Sequence, residues 1–145
     1  MNRVLISFFL ILSPLLLFSQ NFTRQDSLRG SITPQRAWWD LTYYHLDISV
    51  DPDNRFIKGS NTVQYKVLQP NDEMQIDLQE PLKITKITQD GNELNFRSEG
   101  YSHFIKLKKK QKKDKIKSIK IHYEGNPKIA VNPPWDGGLT WTRDF

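Results

Sequence analysis

The stretch Tyr43-Tyr44-His45-Leu46-Asp47-Ile48-Ser49-Val50 decides the fold. Tyr44, Leu46, Ile48 and Val50 fall on one side of an extended chain, and His45, Asp47 and Ser49 fall on the other. A period of two marks a half-buried β-strand, because successive side chains of a strand point to opposite faces. Asp51-Pro52-Asp53-Asn54 follows. Proline presets φ there, and the flanking Asp and Asn can hydrogen-bond their own backbone, so the chain turns. A second alternating run puts Ile57, Val63, Tyr65 and Val67 on one face and Lys58, Ser60, Thr62, Gln64 and Lys66 on the other. Gly59 interrupts the apolar face, which suits a bulge or a close backbone approach. Together the two runs predict a long hairpin.

Beyond it, Gln69-Pro70-Asn71-Asp72 breaks the chain, and Met74, Ile76 and Leu78 make a short third strand. Pro81 resets the chain before Leu82–Thr88. Asp90-Gly91 is a two-residue hairpin signal, with Leu94 and Phe96 continuing after it. His103, Ile105 and Leu107 form another alternating run, and Ile119, Ile121 and Tyr123 the last before Gly125. About seven short strands separated by turn residues predict an all-β fold, an antiparallel sandwich or pair of twisted sheets. Residues 20–35 are polar and aperiodic and read as a linker or N-terminal arm.

The first 19 residues read as a signal peptide. Arg3 supplies a positive start, and Val4 to Phe18 is almost wholly apolar. A run of roughly fifteen apolar residues is short of the ~20 that span a bilayer, and fits a secretory segment. Cleavage is expected after Ser19 or Gln20, giving an exported protein with no stable membrane span; the alternative is an uncleaved N-terminal anchor. The 145-residue chain has no cysteine, which excludes a lipoprotein anchor, disulfides and thiolate metal sites.

The net charge of +5 is local. Nine of the 21 basic residues lie between Lys106 and Lys120, with Asp114 as the one acid among them, and the remainder of the chain is net negative. Phe104 and Tyr123 bracket these lysines without interleaving with them, so no nucleic-acid partner is expected. The run reads either as a polyanion or membrane-surface patch, or as a solvated hairpin tip with Gln111–Asp114 as the turn. The hairpin tip is the preferred reading, since lysines also discourage edge-to-edge strand pairing.

His45, His103 and His122 each fall within a strand without the i+3 or i+4 partner of a helical metal site. His45 and His122 lie on polar faces, whereas His103 shares the phase of Ile105 and Leu107 and reads as a partly buried imidazole. Asp47, Asp51 and Asp53 surround Pro52 with no nearby glycine, a poor calcium loop. Neither a catalytic nor a metal-ligating residue is assigned. Trp38-Trp39 at the start of a strand suits a lid on the end of a core. Pro133-Pro134-Trp135-Asp136-Gly137-Gly138 is stiff at its beginning and permissive at its end, and holds Trp135 and Asp136 at a fixed place on a rim.

Taken in order, Arg36-Ala37-Trp38-Trp39-Asp40, Tyr43 to Val50, Ile57 to Val63, Met74 to Gln79, Tyr123-Glu124-Gly125-Asn126-Pro127 and Pro133 to Gly138 resemble the N-terminal domain of the aminopeptidase N family of zinc metallopeptidases. That group also contains leukotriene hydrolase, and the match is nearest to secreted members of the Bacteroidetes type. The resemblance runs from Arg36 to the end of the chain. It implies a saddle-like β domain (residues 36–132) that packs on a thermolysin-like catalytic domain, with residues 133–145 starting the segment toward that part.

In the family, zinc is held by an H-E-x-x-H helix and a downstream glutamate, and a G-x-M-E-N loop grips the substrate's amine. This chain has neither motif, so no family catalytic or ligand residue maps onto it. Zinc is expected in the full-length parent and not in this chain. By resemblance, Trp135 and Asp136 line the entrance of the substrate cleft. The expected function is that of a non-catalytic N-terminal domain of an exported zinc aminopeptidase. Its partners would be the missing catalytic domain and, in the parent, peptide substrates. The alternative is a stand-alone secreted β-sandwich that binds a protein, peptide or glycan through Trp38, Trp39, Trp135 and Trp141.

Overall fold

The computed structural model describes residues 22–142; the expected signal peptide lies outside them. The predicted hairpin is present. β1 (Trp39–Asp51) pairs antiparallel with β2 (Phe56–Val67), from Trp39 opposite Val67 to Asp51 opposite Phe56. Asp51 closes the turn, its carboxylate accepting from the Asn54 backbone (3.1 Å) and side-chain amide (2.8 Å). Gly59 sits opposite Ile48, where a Cβ would lie 2.2 Å from the Asp47 carbonyl oxygen. It therefore marks a close approach, while the bulge of this ladder lies at Leu41–Tyr43.

The remaining strands are β3 (Glu73–Asp77), β4 (Lys83–Gln89), β5 (Asn92–Glu93), β6 (Asn95–Glu99), β7 (Ser102–Lys106) and β8 (Ile116–Gly125). They form two antiparallel sheets, one of five strands in the order β1-β2-β8-β4-β5 and one of three in the order β3-β7-β6. The run around Leu94 divides in two. Asn92–Glu93 completes the Asp90-Gly91 hairpin with β4, then Leu94 turns into the core at 3% exposure and the chain passes to the smaller sheet.

The core lies between the sheets. Val63, Tyr65 and Val67 of β2, Ile119 and Ile121 of β8 and Ile87 of β4 meet Met74, Ile105 and Leu107. Each such side chain, removed from water, contributes about 1.5–3 kcal/mol. Trp38 and Trp39 close one end, edge-on to Tyr65 at 5.8 and 5.9 Å. Their indole nitrogens donate to the Glu73 and Gln35 carbonyls. Burial pushes the Tyr65 phenol up to about 12, and its hydroxyl accepts from the Gln89 amide at 2.9 Å.

The segment expected as an arm covers the outer face of the three-stranded sheet. Within it, α1 (Arg24–Gly30) opens on a capping box between Thr23 and Asp26 and buries Leu28. Gln75, 1% exposed, donates to the Leu28 carbonyl (3.1 Å) and the Ser102 hydroxyl (3.2 Å) and accepts from Thr33 (2.6 Å). Arg36 pairs with Asp77, and Arg24 with Glu99. Among the described residues no helix is long and apolar enough to cross a membrane.

His103 is buried on the inner face of β7, its Nδ1 2.8 Å from the Ser98 hydroxyl and its ring edge-on to Phe96. Burial holds its pKa below the ordinary imidazole value. The unfolded chain therefore takes up this proton first as pH falls, so the His103 contribution is complete above about pH 6.5 and is lost on acidification below it. We expect urea midpoints to fall between pH 7 and 5, and His103→Gln to flatten that limb. Asp26, Asp51 and Glu99, whose pKa values are lowered by hydrogen bonds, act only at lower pH.

The lysine-rich run is not the tip of a hairpin. β7 belongs to the small sheet and β8 to the large one, so residues 107–115 cross between layers. Gln111, expected in an exposed turn, is 7% exposed.

Candidate functional site

At about 3.3 Å per residue, the 13 residues of β1 extend roughly 40 Å, whereas the five-residue strands β3 and β7 reach only about 17 Å. The small sheet therefore covers the Trp39 end of the large one and stops. Tyr44, Leu46, Ile48 and Val50 continue the core-facing side of β1 past that cover and are 49, 58, 47 and 53% exposed. The half-buried strand expected from the alternation is thus exposed on both faces. Opposite these residues lie Val63, Asn61, Gly59 and Ile57 of β2. β1 is also the outermost strand of its sheet, and His45, Asp47 and Ser49 line its polar side. An apolar strip on an unpaired edge is a place where another strand or surface can add.

The second feature is the loop after β8. Ile129 and Leu139 form a parallel bridge, with Ala130 N donating to the Leu139 carbonyl (3.1 Å) and Leu139 N to the Lys128 carbonyl (2.8 Å). Gly138, at φ +112°, lies where a Cβ would meet the Lys128 oxygen at 2.6 Å, so the bridge requires glycine. The Asp136 carboxylate accepts from Val131 N (2.7 Å) and Asn132 N (3.0 Å). Those bonds hold it ionised, below the usual carboxylate range. Asp136 thus turns inward to organise the loop, while Trp135 projects at 88% exposure. Asp136, Gly137 and Gly138 line, with Glu80, Tyr101 and Lys128, a concavity of about 520 Å³.

The described residues do not fit a zinc site. His45 lies opposite Thr62, His122 opposite Ser60 and Lys86, and His103 faces the core. Among the described residues no three His, Cys, Asp or Glu side chains converge. Of the four tryptophans named for the alternative of a stand-alone binding module, Trp38 is 2% exposed and Trp39 half-buried, whereas Trp135 is 88% exposed. Residue patterning missed the bare strip of β1, although a signal was present: its alternation outruns every strand available to cover it.

No protein-family model and no curated protein matches the sequence. Solved structures do match. An M1 zinc metallopeptidase from Deinococcus radiodurans aligns over 66% of this chain and 22% of its own, with a TM-score of 0.56 at 15% identity. A mutant of that enzyme, bound to a Tyr-Ser-Ala substrate, aligns over 68% and 23% with a TM-score of 0.57, also at 15% identity. Native yeast LTA4 hydrolase aligns over 61% and 14%, with a TM-score of 0.51 at 21% identity. The chain thus spans less than a quarter of each of these proteins, and at such identities the likeness is one of fold.

Proposed function

We propose that this chain is the amino-terminal, non-catalytic domain of an exported zinc aminopeptidase of the secreted Bacteroidetes type. The observation that carries the reading is the bare apolar strip Tyr44, Leu46, Ile48 and Val50, on a fold shared with part of much longer zinc metallopeptidases. The strip docks on the catalytic body and braces it. Trp135, held by the Asp136-centred loop, lines the entrance through which a peptide's amino terminus passes. A zinc ion held by that body would supply the Lewis acid for hydrolysis of the first peptide bond. This chain contributes walls and rigidity. Export rests on the apolar run Val4 to Phe18 behind Arg3.

The buried polar atoms Asp136 Oδ1 and Trp141 Nε1, which have no hydrogen-bond partner among the described residues, also support a loop completed by another surface. The burial of Trp38 withdraws one of the four tryptophans named for a stand-alone binding module, which favours the peptidase reading. Reading the nucleotide sequence beyond codon 145 tests the proposal. We expect an in-frame H-E-x-x-H with a downstream glutamate; a genuine stop with no such sequence in any frame refutes it.

A further inference from the structure

The crossover between β7 and β8 is a fixed scaffold. Leu107 N and Gln111 N donate to the Asp72 and Asn71 carbonyls at 2.8 Å, and Asp114 N donates to the Val67 carbonyl at 2.8 Å. Val67 N returns a bond to the Lys115 carbonyl at 2.9 Å. The buried Gln111 side chain donates to the Lys109 carbonyl at 2.6 Å. This backbone bends around a concavity of about 480 Å³ lined by Lys108, Lys109, Lys110, Lys112, Lys115 and Lys117.

Counter-charge there is scarce. Asp90 pairs with Lys117 at 3.6 Å, and Asp114 with Lys66 at 3.9 Å. Among the described residues no ion pair engages Lys108, Lys109, Lys110, Lys112 or Lys115. Lining one concavity, these ammonium groups repel, and the repulsion is relieved by one ligand that carries several negative charges. No aromatic side chain lines the concavity, which removes the stacking platform that single-stranded nucleic acid uses. Lysine engages phosphate as a point charge rather than through a planar fork, so the site suits a compact group with clustered phosphates.

We propose that the Lys108–Lys117 concavity binds a compact multivalent phosphate, free or carried on a lipid head group. The proposal is independent of the peptidase reading. Calorimetric titration of the full chain with inorganic tripolyphosphate should show saturable binding that weakens at least about tenfold between about 50 and about 200 mM salt. Lys109→Gln/Lys110→Gln/Lys112→Gln should reduce affinity at least about tenfold, whereas Lys58→Gln/Lys83→Gln/Lys120→Gln, which removes the same charge from other surfaces, should change it less than about twofold. Thermal melts of both variants check that each is folded.

Vesicles of phosphatidylcholine containing a diphosphorylated lipid distinguish the sources. Binding that tripolyphosphate competes away assigns the head group, and binding of tripolyphosphate without vesicle binding assigns the free anion. Any one of three results overturns the proposal: no binding of either probe, equal loss in both triple variants, or a single-stranded oligonucleotide that binds more tightly than tripolyphosphate.

Discussion

Tyr65→Ala is expected to cost about 3–5 kcal/mol of folding stability, the range for removing a large buried aromatic and leaving a cavity. Tyr65 is 0% exposed, meets Trp38 and Trp39 edge-on and holds the Gln89 amide. Its loss therefore opens the covered end of the core and leaves a buried donor without its acceptor. Since small domains are stable by only about 5–15 kcal/mol, the variant should unfold at much lower urea or arrive unfolded. Tyr65→Phe keeps the ring contacts and strands only the amide, so a loss of about 1–3 kcal/mol is expected. A change below about 1 kcal/mol for Tyr65→Ala would mean that the two sheets do not meet where the Trp38–Trp39–Tyr65 cluster places them.

The second large effect is expected on association. Leu46→Asp/Ile48→Asp puts two carboxylates on the bare strip of β1, at positions already 58 and 47% exposed, so folding should be nearly unchanged. Each apolar side chain buried in an interface contributes about 1.5–3 kcal/mol, and a buried unpaired charge costs more. Affinity for a separately produced catalytic body should therefore fall at least about hundredfold. The unmodified chain should self-associate through the same edge when alone, and the variant should run as a monomer in analytical ultracentrifugation. Unaltered docking by the double variant would place the interface elsewhere.

Alternation made the long hairpin legible because Tyr44 to Val50 obeys a period of two throughout and Ile57 to Val67 obeys it apart from Gly59 and Asn61. Asp90-Gly91 likewise marks its own turn. The division at Leu94 was not legible, since one inward side chain between two short polar stretches looks the same whether the chain stays in one sheet or changes sheets. α1 escaped notice because seven residues with one apolar anchor, Leu28, carry no periodicity. The crossover of the lysine run had no local mark either. That Lys106 and Ile116 belong to different sheets is a property of non-local pairing.

The site was legible in part. Pro133 to Gly138 reads as a stiff loop that holds Trp135 and Asp136 on a rim, and two backbone amides bonded to Asp136 organise it. Trp135 projects into solvent, and Asp136, whose carboxylate accepts from those amides, lines the adjoining concavity. The bare strip of β1 depends on a comparison of strand lengths, which no single segment contains.

The central claim, that this chain is a scaffold whose chemistry resides in a larger zinc peptidase, is tested most directly by activity. Release of amino-terminal residues from aminoacyl-anilides, with and without chelator, should be measured for this chain and for the longer reading frame produced in parallel. The account predicts chelator-sensitive hydrolysis from the longer protein and none from the 145-residue chain. Chelator-sensitive hydrolysis by the purified short chain would contradict it.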